Sequence, residues 1–202
     1  MKATVLKLLR LILIATPLVG AFHPVQAESN ETLAPIFEAN ISAIIGASQA
    51  DSADAQGTLA QYIDFPAITR GVLGKHRTQL SESQNKRFQA EFEKSMVTLL
   101  SVATRAAGDF TTNITQTKLS PKNSNRGQAY AEIKTDKGQV ITLIASVAKS
   151  DQHWLVRNLI FDGVNLGLTY RNQFAQLMQK HNDDPEAAIT EWAEHAAQNR
   201  AD

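Results

Sequence analysis

Hydrophobic residues recur with the period of an α-helix in five segments of the chain. The longest of these lies between Ser81 and Gly108, where one face carries Phe88, Phe92, Met96, Leu99, Leu100 and Ala103. Ser81 and Gln84 have the spacing of a capping box, and Gly108 suits a left-handed helix end. The pattern therefore predicts a long amphipathic helix between Ser81 and Gly108.

Four shorter helices follow from the same pattern. The first runs from Leu33, the second from Pro66 to Gly74, the third follows Gly163, and the last begins at the pair Asp184-Pro185. The segment from Gly46 to Gly57 is small and polar, and it is predicted to be a loop or a ragged helix start.

Between the long helix and the third of these helices, the pattern changes from the helical period to one that suits β-strands. Four segments fit strands, at Phe110–Leu119, Ala129–Lys134, Val140–Lys149 and Trp154–Phe161, and turns separate them. Short turns of this kind favour an antiparallel sheet. Helices, then strands, then helices predict an α+β fold in which the helices cover one face of the sheet.

The first 27 residues have the three-part layout of a secretory signal peptide. A positively charged start precedes an apolar run from Leu8 to Gly20, and Val25 and Ala27 are small residues that fit a cleavage site. A membrane anchor is the alternative, but a span needs about 20 apolar residues and Pro17 interrupts this run. We therefore expect export, cleavage after Ala27, and a soluble single domain over residues 28–202.

Composition excludes several classes of site. The chain has 20 basic and 20 acidic residues and no cysteine. Loss of the predicted signal peptide removes three basic residues, which leaves 17 basic against 20 acidic residues and a net charge of −3. Without cysteine there is no disulfide, thiolate metal site or cysteine nucleophile. Without a basic excess, nucleic-acid binding is not indicated.

Two acidic residues are the main candidates for catalysis. Asp64 and Asp162 each adjoin an aromatic residue at an element boundary, where a carboxyl group could act as a general acid or base. An N-cap or turn carboxylate is the commoner role for such residues. In that case Arg70 and Arg171 are candidate ion-pair partners.

Glu191 and His195 are the nearest approach to a metal site. They lie four residues apart on the last predicted helix, as two metal ligands could. A solvated helical pair is the commoner arrangement, so we predict no metal there. The chain also contains none of the common catalytic motifs, and the sequence does not predict an enzyme.

Three segments carry motifs that are specific in combination. They are YIDFPAITRGVLGKHRTQLSESQNKRFQAEF at residues 62–92, HWLVRNLIFDGVNL at residues 153–166, and GLTYRNQFAQLMQK at residues 167–180. In this order they resemble the MlaC family, also called the toluene-tolerance auxiliary family. The resemblance covers most of the chain after the predicted signal peptide.

Three positions depart from the family pattern. His76-Arg77 stands where an aromatic residue is usual, Asn158 where an acidic residue is common, and Ala145 where a large aromatic residue is frequent. A smaller inward residue at position 145 would deepen a pocket. The departures therefore bear on the ligand more than on the fold.

The resemblance implies a fold and a function. The fold is NTF2-like, with an antiparallel sheet of about four strands covered by amphipathic helices around a deep apolar pocket. The function is that of a monomeric, non-enzymatic periplasmic carrier without a cofactor. Such a carrier passes phospholipid between an outer-membrane lipoprotein–porin complex and an inner-membrane ABC transporter, and so maintains outer-membrane lipid asymmetry.

On this interpretation, the inward residues of the predicted elements line the lipid pocket. They are Val72, Leu73, Phe92, Met96, Leu100, Ile141, Leu143, Ala145, Val147, Val164, Leu166 and Phe174. About half of them could equally be ordinary core. Replacing Leu143 or Met96 by Asp separates the two cases, since a lining position should lose lipid while the fold survives.

Three alternatives stay open at this point. The carrier could hold another membrane lipid, such as a hopanoid. An NTF2-like pocket could serve small-molecule chemistry, with Asp64 or Asp162 as the base. The chain could also be an interaction subunit of a transporter complex, with a filled core.

Overall fold

The structure is a computed structural model, which describes residues 33–49, 52–151 and 153–201. The predicted signal peptide and its cleavage site lie outside the described residues. The helices are α1 (Ala34–Gln49), α2 (Ser52–Leu59), α3 (Phe65–Leu73), α4 (Glu82–Ala107), α5 (Leu166–Lys180) and α6 (Pro185–Ala201), with a 3₁₀ helix at Gly74–Gln79. The strands are β1 (Phe110–Ser120), β2 (Asn123–Thr135), β3 (Val140–Ser150), β4 (His153–Phe161) and β5 (Val164–Asn165).

The strands form one antiparallel sheet in the order β1-β2-β3-β4-β5. This confirms the predicted α+β class. β2 begins earlier than predicted, because its polar first half pairs through the backbone with β1 and β3. The two-residue strand β5 was not predicted, since two residues are too short to show alternation. Beside it, Ile63 forms a parallel bridge with Val156 of β4.

The long helix α4 has the predicted ends. The Ser81 hydroxyl accepts a hydrogen bond from the backbone N–H of Gln84 at 3.2 Å, and the Gln84 side chain accepts one from the backbone N–H of Ser81 at 2.9 Å. Gly108 ends the helix at a φ of +67°. The predicted helix start at Pro66 and stop at Gly74 are also confirmed by α3.

Of the two alternatives for the segment between Gly46 and Gly57, a loop or a ragged helix start, the loop is wrong for the described residues. Residues 46–49 continue α1, and residues 52–57 belong to α2. The segment is rich in alanine, which favours helix strongly enough to offset the small polar residues around it. Within the described residues, no helix combines the length and apolarity needed to cross a bilayer.

Two apolar clusters lie between the helices and the inner face of the sheet. The main core joins all six helices to the middle of the sheet, and its fully buried side chains include Phe65, Phe88, Phe92 and Phe174. We call the other the second cluster. It consists of buried Ile41, Ala131 and Leu143, with partly buried Ile45, Ile114, Ile133, Leu159 and Phe161 packed against them.

Candidate functional site

The inner face of the sheet is shallow along its middle. Ala145 of β3 pairs with Ala129 of β2 on one side and Leu159 of β4 on the other, and Leu143 pairs with Ala131. All of these residues except Leu159 are buried. The alternating burial along β3 confirms that Leu143, Ala145 and Val147 share its inner face. We call the strip of this face with three neighbouring alanines the trough, and the main core packs against it.

The helical side of the main core is built on aromatic contacts. The ring centroids of Phe88 and Phe174 are 4.6 Å apart, those of Phe88 and Trp192 are 5.2 Å apart, and those of Phe92 and Tyr170 are 5.5 Å apart. Burial raises the pKa of the Tyr170 hydroxyl to about 12, so it stays protonated at neutral pH. This aromatic cluster joins α4, α5 and α6 into one closely packed layer.

The second cluster is packed less completely than the main core. Only three of its eight residues are buried, although all eight are apolar. It lies between α1 and the end of the sheet where β1 starts and β4 finishes. At the opposite end of the sheet, where β4 begins, α1 is held to β4 by a hydrogen bond from the Asn40 side chain to the Trp154 carbonyl at 3.0 Å, and by the Phe37 and Trp154 rings at 6.0 Å.

The structure divides the predicted lining residues among these surroundings. Val72, Leu73, Phe92, Met96, Ala145, Val147 and Phe174 are in the main core, with Leu100 partly buried against it. Leu143 is in the second cluster. Ile141, Val164 and Leu166 are partly buried and belong to neither cluster.

Most residues of the second cluster were not among the lining residues predicted from the sequence. Ile41 and Ile45 follow the helical period of α1, which was a usable signal. Leu159 and Phe161 were not recognisable as inward, because a bulge in the pairing of β3 with β4 falls between Ser146 and Val147. The bulge shifts the alternation of β4 by one residue, so that Val156, Leu159 and Phe161 face inward together.

Two concavities of the described residues lie at the surface. The first, of about 370 Å³, is lined by Glu38, Ser42, Ile45, Gly46, Gly108, Asp109, Phe110 and Thr112. It therefore opens beside the second cluster, at Ile45. The second, of about 390 Å³, is lined by Ala67, Arg70, Arg126, Gly127, Ser146, Val147, Ala148 and Arg157. Neither is the deep apolar pocket that the resemblance implies, because the apolar faces of the helices and the sheet meet each other in this structure.

The two candidate catalytic carboxylates both hold the fold together. Asp64 caps α3 by accepting a hydrogen bond from the Ala67 N–H at 3.0 Å, and it pairs with Arg157, whose Nη2 is 2.8 Å from Oδ2. Asp162 accepts hydrogen bonds from the backbone N–H and the hydroxyl of Thr142, at 2.7 and 3.0 Å.

The predicted ion-pair partners of these carboxylates were wrong. Arg157 takes the place expected of Arg70, because the bulge in β4 directs its side chain to Asp64. Arg171 instead lies against Gly74.

Glu191 and His195 belong to a hydrogen-bonded group at the end of α5. The Glu191 carboxylate accepts hydrogen bonds from Lys180 Nζ at 2.7 and 2.8 Å, lies 2.6 Å from His181 Nε2, and is 3.4 Å from His195 Nε2. The hydrogen bond from Lys180, and after it the contact with His181, lowers the pKa of Glu191. Among the described residues, no group of three or more side chains is arranged to hold a metal ion.

Two departures from the family pattern have a structural explanation. His76 is buried against Phe174 with the ring centroids 6.3 Å apart, and its Nδ1 lies 2.9 Å from Gln79 Oε1, so it occupies the site of an aromatic side chain. The Asn158 side chain donates to Asn165 Oδ1 at 3.0 Å and accepts from the Gly167 N–H at 2.9 Å. It thereby joins β4 to the first turn of α5.

Comparison with known proteins connects this arrangement to one family. The model of the family described as MlaC protein matches residues 29–194. The toluene tolerance protein ttg2D of Pseudomonas putida is 26% identical over 140 residues, a match that covers 69% of this chain and 64% of that relative's length. A phospholipid-binding protein from Ralstonia solanacearum, solved in complex with a phospholipid, superimposes with a TM-score of 0.69 at 18% identity, over 82% of this chain and 97% of that one. That similarity shows a shared fold, and the family model covers most of the sequence, so this chain belongs to the MlaC family.

Proposed function

We propose that this protein binds a phospholipid by its acyl tails and carries it through the periplasm without changing it chemically. On this proposal it exchanges lipid with an outer-membrane lipoprotein–porin complex and an inner-membrane ABC transporter, and so maintains lipid asymmetry. The observation that carries the proposal is the second cluster, an apolar surface that the protein's own side chains cover incompletely. Family membership and the phospholipid in the Ralstonia solanacearum structure support the same ligand class.

The energetics of lipid transfer explain why such a surface suffices. Burial is worth about 0.8 kcal/mol per methylene, so two tails of about 16 carbons cost on the order of 20 kcal/mol to expose to water. A carrier removes that cost by replacing the membrane interior with its own apolar wall. No reacting group is needed, which agrees with the structural roles of Asp64 and Asp162.

The trough along β3 has the length of an acyl tail. Val147 and Leu143 are four residues apart on one strand, which corresponds to about 13 Å. Half of a bilayer's hydrocarbon core is about 15 Å thick. We therefore place the tails along the inner face from Val147 towards the second cluster, with small Ala145 making room between them.

Entry of the tails requires α1 to separate from the sheet. Two contacts already described, from Asn40 and Phe37 to Trp154, hold α1 to β4. The first concavity lies along the line of separation, between α1 and the start of β1. Tails that enter there would replace contacts between α1 and the sheet with contacts of the same apolar kind.

Native mass spectrometry tests lipid binding directly. The purified protein is expected to carry bound phospholipid, and Leu143→Asp is expected to lose it while keeping its circular dichroism spectrum. Met96→Asp, in the main core, is expected to unfold. Val140→Asp is the matched control, because Val140 is on the same strand and 55% exposed. A lipid-free wild-type protein, or full loading of Leu143→Asp, would contradict the proposal.

Compartment and processing need a separate test. The periplasmic fraction is expected to contain the protein with Glu28 as its first residue, because the signal-peptide pattern ends at Ala27. Protein retained in the cytoplasm with an intact amino terminus would contradict the export proposal. That result would not contradict the proposal that the protein binds lipid.

A second candidate function is that of an interaction subunit with a filled core. The observation that favours it is that neither of the two concavities is an enclosed apolar hollow. Such a subunit would remain lipid-free in native mass spectra even after incubation with phospholipid vesicles, whereas a carrier would load from them.

A further inference from the structure

The second concavity lies on the outer face of the sheet, on the other side from the trough. Arg126 of β2 pairs with Ala148 of β3, and both line the concavity together with Ser146. Ser146 and Ala148 alternate with the inward residues of β3, so they belong to the opposite face. The concavity is also at the end of the sheet where β3 finishes and β4 begins, far from the opening between α1 and the start of β1.

Positive charge gathers around this concavity. Arg70 of α3, Arg126 of β2 and Arg157 of β4 line it, so three separate elements bring their charges to one place. Lys118 of β1 lies on the same face of the sheet, because it pairs with Gln128, two residues from Arg126. We call the surface formed by Arg70, Lys118, Arg126 and Arg157 the basic face.

The charges of the basic face are not balanced by its own acidic residues. Arg157 is held in place by Asp64, with Nε at 2.9 Å and Nη2 at 2.8 Å from the same carboxylate oxygen. The other three basic side chains are exposed, and within the described part of the chain they form no ion pair. Four positive charges against one carboxylate leave an excess that attracts an anion.

The sequence around the basic face has the same bias. Segments 118–127, 147–151 and 153–157 contain five basic residues and one acidic residue, namely Lys118, Lys122, Arg126, Lys149 and Arg157 against Asp151. Without its predicted signal peptide, the chain as a whole has a net charge of −3. The basic face is therefore a local excess on an acidic protein, and an acidic ligand has no reason to bind elsewhere.

The shape of the concavity favours carboxylate side chains over a membrane surface. Arg157 is recessed, with 35% of its side chain exposed, in a hollow of about 390 Å³. A side chain that ends in a carboxylate can enter such a hollow, and a guanidinium presents paired N–H donors that match both carboxylate oxygens. A protein that lies on a membrane commonly adds apolar side chains to the contact. The exposed large hydrophobic residues of the described chain, Ile36, Val140 and Leu168, do not line the concavity.

We propose that the basic face binds an acidic segment of a partner protein. Arg70 and Arg126 make the principal contacts with its carboxylates, and Arg157, fixed by Asp64, is a further donor. This inference goes beyond the proposed lipid-binding function and does not depend on it. Because the basic face and the opening beside α1 are at opposite ends of the sheet, a partner bound here leaves that opening free.

A labelled hexaglutamate peptide is the probe for this surface, and labelled hexaglutamine is the uncharged comparison. Fluorescence anisotropy at low ionic strength is expected to show that wild type binds hexaglutamate and not hexaglutamine. Arg70→Gln/Arg126→Gln is expected to weaken this binding at least about tenfold, since one charge-assisted hydrogen bond contributes on that order. Arg157 is left unchanged, because its ion pair holds the carboxylate that caps α3.

A matched control removes two positive charges from the other end of the sheet. Lys134 lies near the end of β2 and Lys137 in the turn before β3, and both are exposed. Lys134→Gln/Lys137→Gln should bind hexaglutamate as wild type does, and thermal melts establish that each variant is folded. Three results would overturn the inference: no binding of hexaglutamate by wild type, equal affinity in wild type and Arg70→Gln/Arg126→Gln, or an equal loss in the control.

Sedimentation with phosphatidylglycerol vesicles tests the alternative that the basic face contacts a membrane. If wild type binds these vesicles through Arg70 and Arg126 but fails to bind hexaglutamate, the inference is wrong. Native mass spectra provide a second check. Arg70→Gln/Arg126→Gln is expected to carry the same bound lipid as wild type, because the basic face and the trough are on opposite sides of the sheet. Loss of lipid by this variant alone would show that the surface belongs to the lipid site, and would also overturn the inference.

Discussion

Gly74 ends α3 in a conformation that favours glycine, close to the Arg171 side chain of α5. Gly74 ends α3 with a φ of +52°, a conformation that glycine adopts without strain. A Cβ built at this position would lie 2.7 Å from Nε of Arg171 on α5. The backbone conformation favours glycine, whereas the contact involves the flexible end of the Arg171 side chain, which can shift to make room.

We expect Gly74→Ala to destabilise the protein by roughly 1–3 kcal/mol, since a left-handed backbone alone costs about 1–2 kcal/mol for a residue with a Cβ. Urea unfolding measures this loss. The double variant Gly74→Ala/Arg171→Ala should regain the stability lost through the contact with Arg171. It should not regain the stability lost through the backbone conformation. Gly71→Ala is the matched control, because Gly71 is in the same helix with no atom within 4 Å of its would-be Cβ. Equal effects at positions 71 and 74 would refute the explanation.

At the scale of elements, the features that the sequence predicts best are those determined by nearby residues of the chain. The ends of α4 follow from Ser81, Gln84 and Gly108, whose side chains or backbone conformations act within one helical turn. The inward row of β3 follows from strict alternation. The inward residues at the end of β4 could not be predicted in the same way, because their orientation depends on a bulge that exists only once β3 and β4 are paired.

The same distinction between local and long-range effects applies to the candidate site. Sequence could indicate which faces are apolar, but the separation into a main core and a second cluster depends on how α1 crosses the sheet. The second concavity is lined by residues between positions 67 and 157, and no local pattern connects them. Long-range assembly therefore decides how the candidate site is formed.

The contact between α5 and α6 is expected to weaken in acid. Because hydrogen bonds from Lys180 and His181 lower the pKa of Glu191 below its ordinary value of 4.5, this carboxylate stabilises the fold above that value, and the contribution is lost as the pH falls through the lowered pKa. Thermal melting of wild type and Glu191→Gln should therefore differ near neutral pH and converge in stronger acid.

A surface ion pair provides the control for this pH dependence. Glu82 and Lys86 are both exposed on α4, so Glu82→Gln should change the melting temperature little at any pH. If the difference between wild type and Glu191→Gln were constant from neutral pH to strong acid, ionisation of Glu191 would not be its cause.

Movement of α1 can be tested by cross-linking, because the chain contains no cysteine. Ser42 of α1 and Thr112 of β1 line the same concavity. We expect Ser42→Cys/Thr112→Cys, joined by a short bismaleimide that contains a disulfide, to take up no lipid from vesicles, since α1 can no longer leave the sheet. Reduction of the linker should restore uptake.

The control cross-link stays within α1. Glu38 and Ser42 are four residues apart on this helix and both line the concavity, so Glu38→Cys/Ser42→Cys carries the same chemistry without joining α1 to the sheet. It should take up lipid normally. Uptake by the α1–β1 cross-linked protein at the wild-type rate would mean that the tails enter elsewhere.

At the scale of the whole molecule, the aromatic cluster is packed more completely than the second cluster. The aromatic cluster joins α4, α5 and α6 by several ring contacts at 4.6–6.3 Å. The partly buried second cluster connects Ile41 and Ile45 of α1 to the sheet, while Phe37 and Ala47 of the same helix belong to the main core. On the proposed function, the second cluster would separate during loading while the aromatic cluster stays packed.

Lipid binding should consequently raise the stability of the whole fold. A ligand that binds only the native state contributes about 2.7 kcal/mol at a concentration of 100 Kd, and for a domain of this size that corresponds to about 5–10 °C in melting temperature. Delipidated protein mixed with dioctanoylphosphatidylglycerol should show such a rise by calorimetry, and Leu143→Asp should show none, because its tail site is disrupted. A lipid that bound only at the surface of both native and unfolded chains would leave the melting temperature unchanged. An unchanged melting temperature in wild type would therefore place the lipid outside the trough and the second cluster.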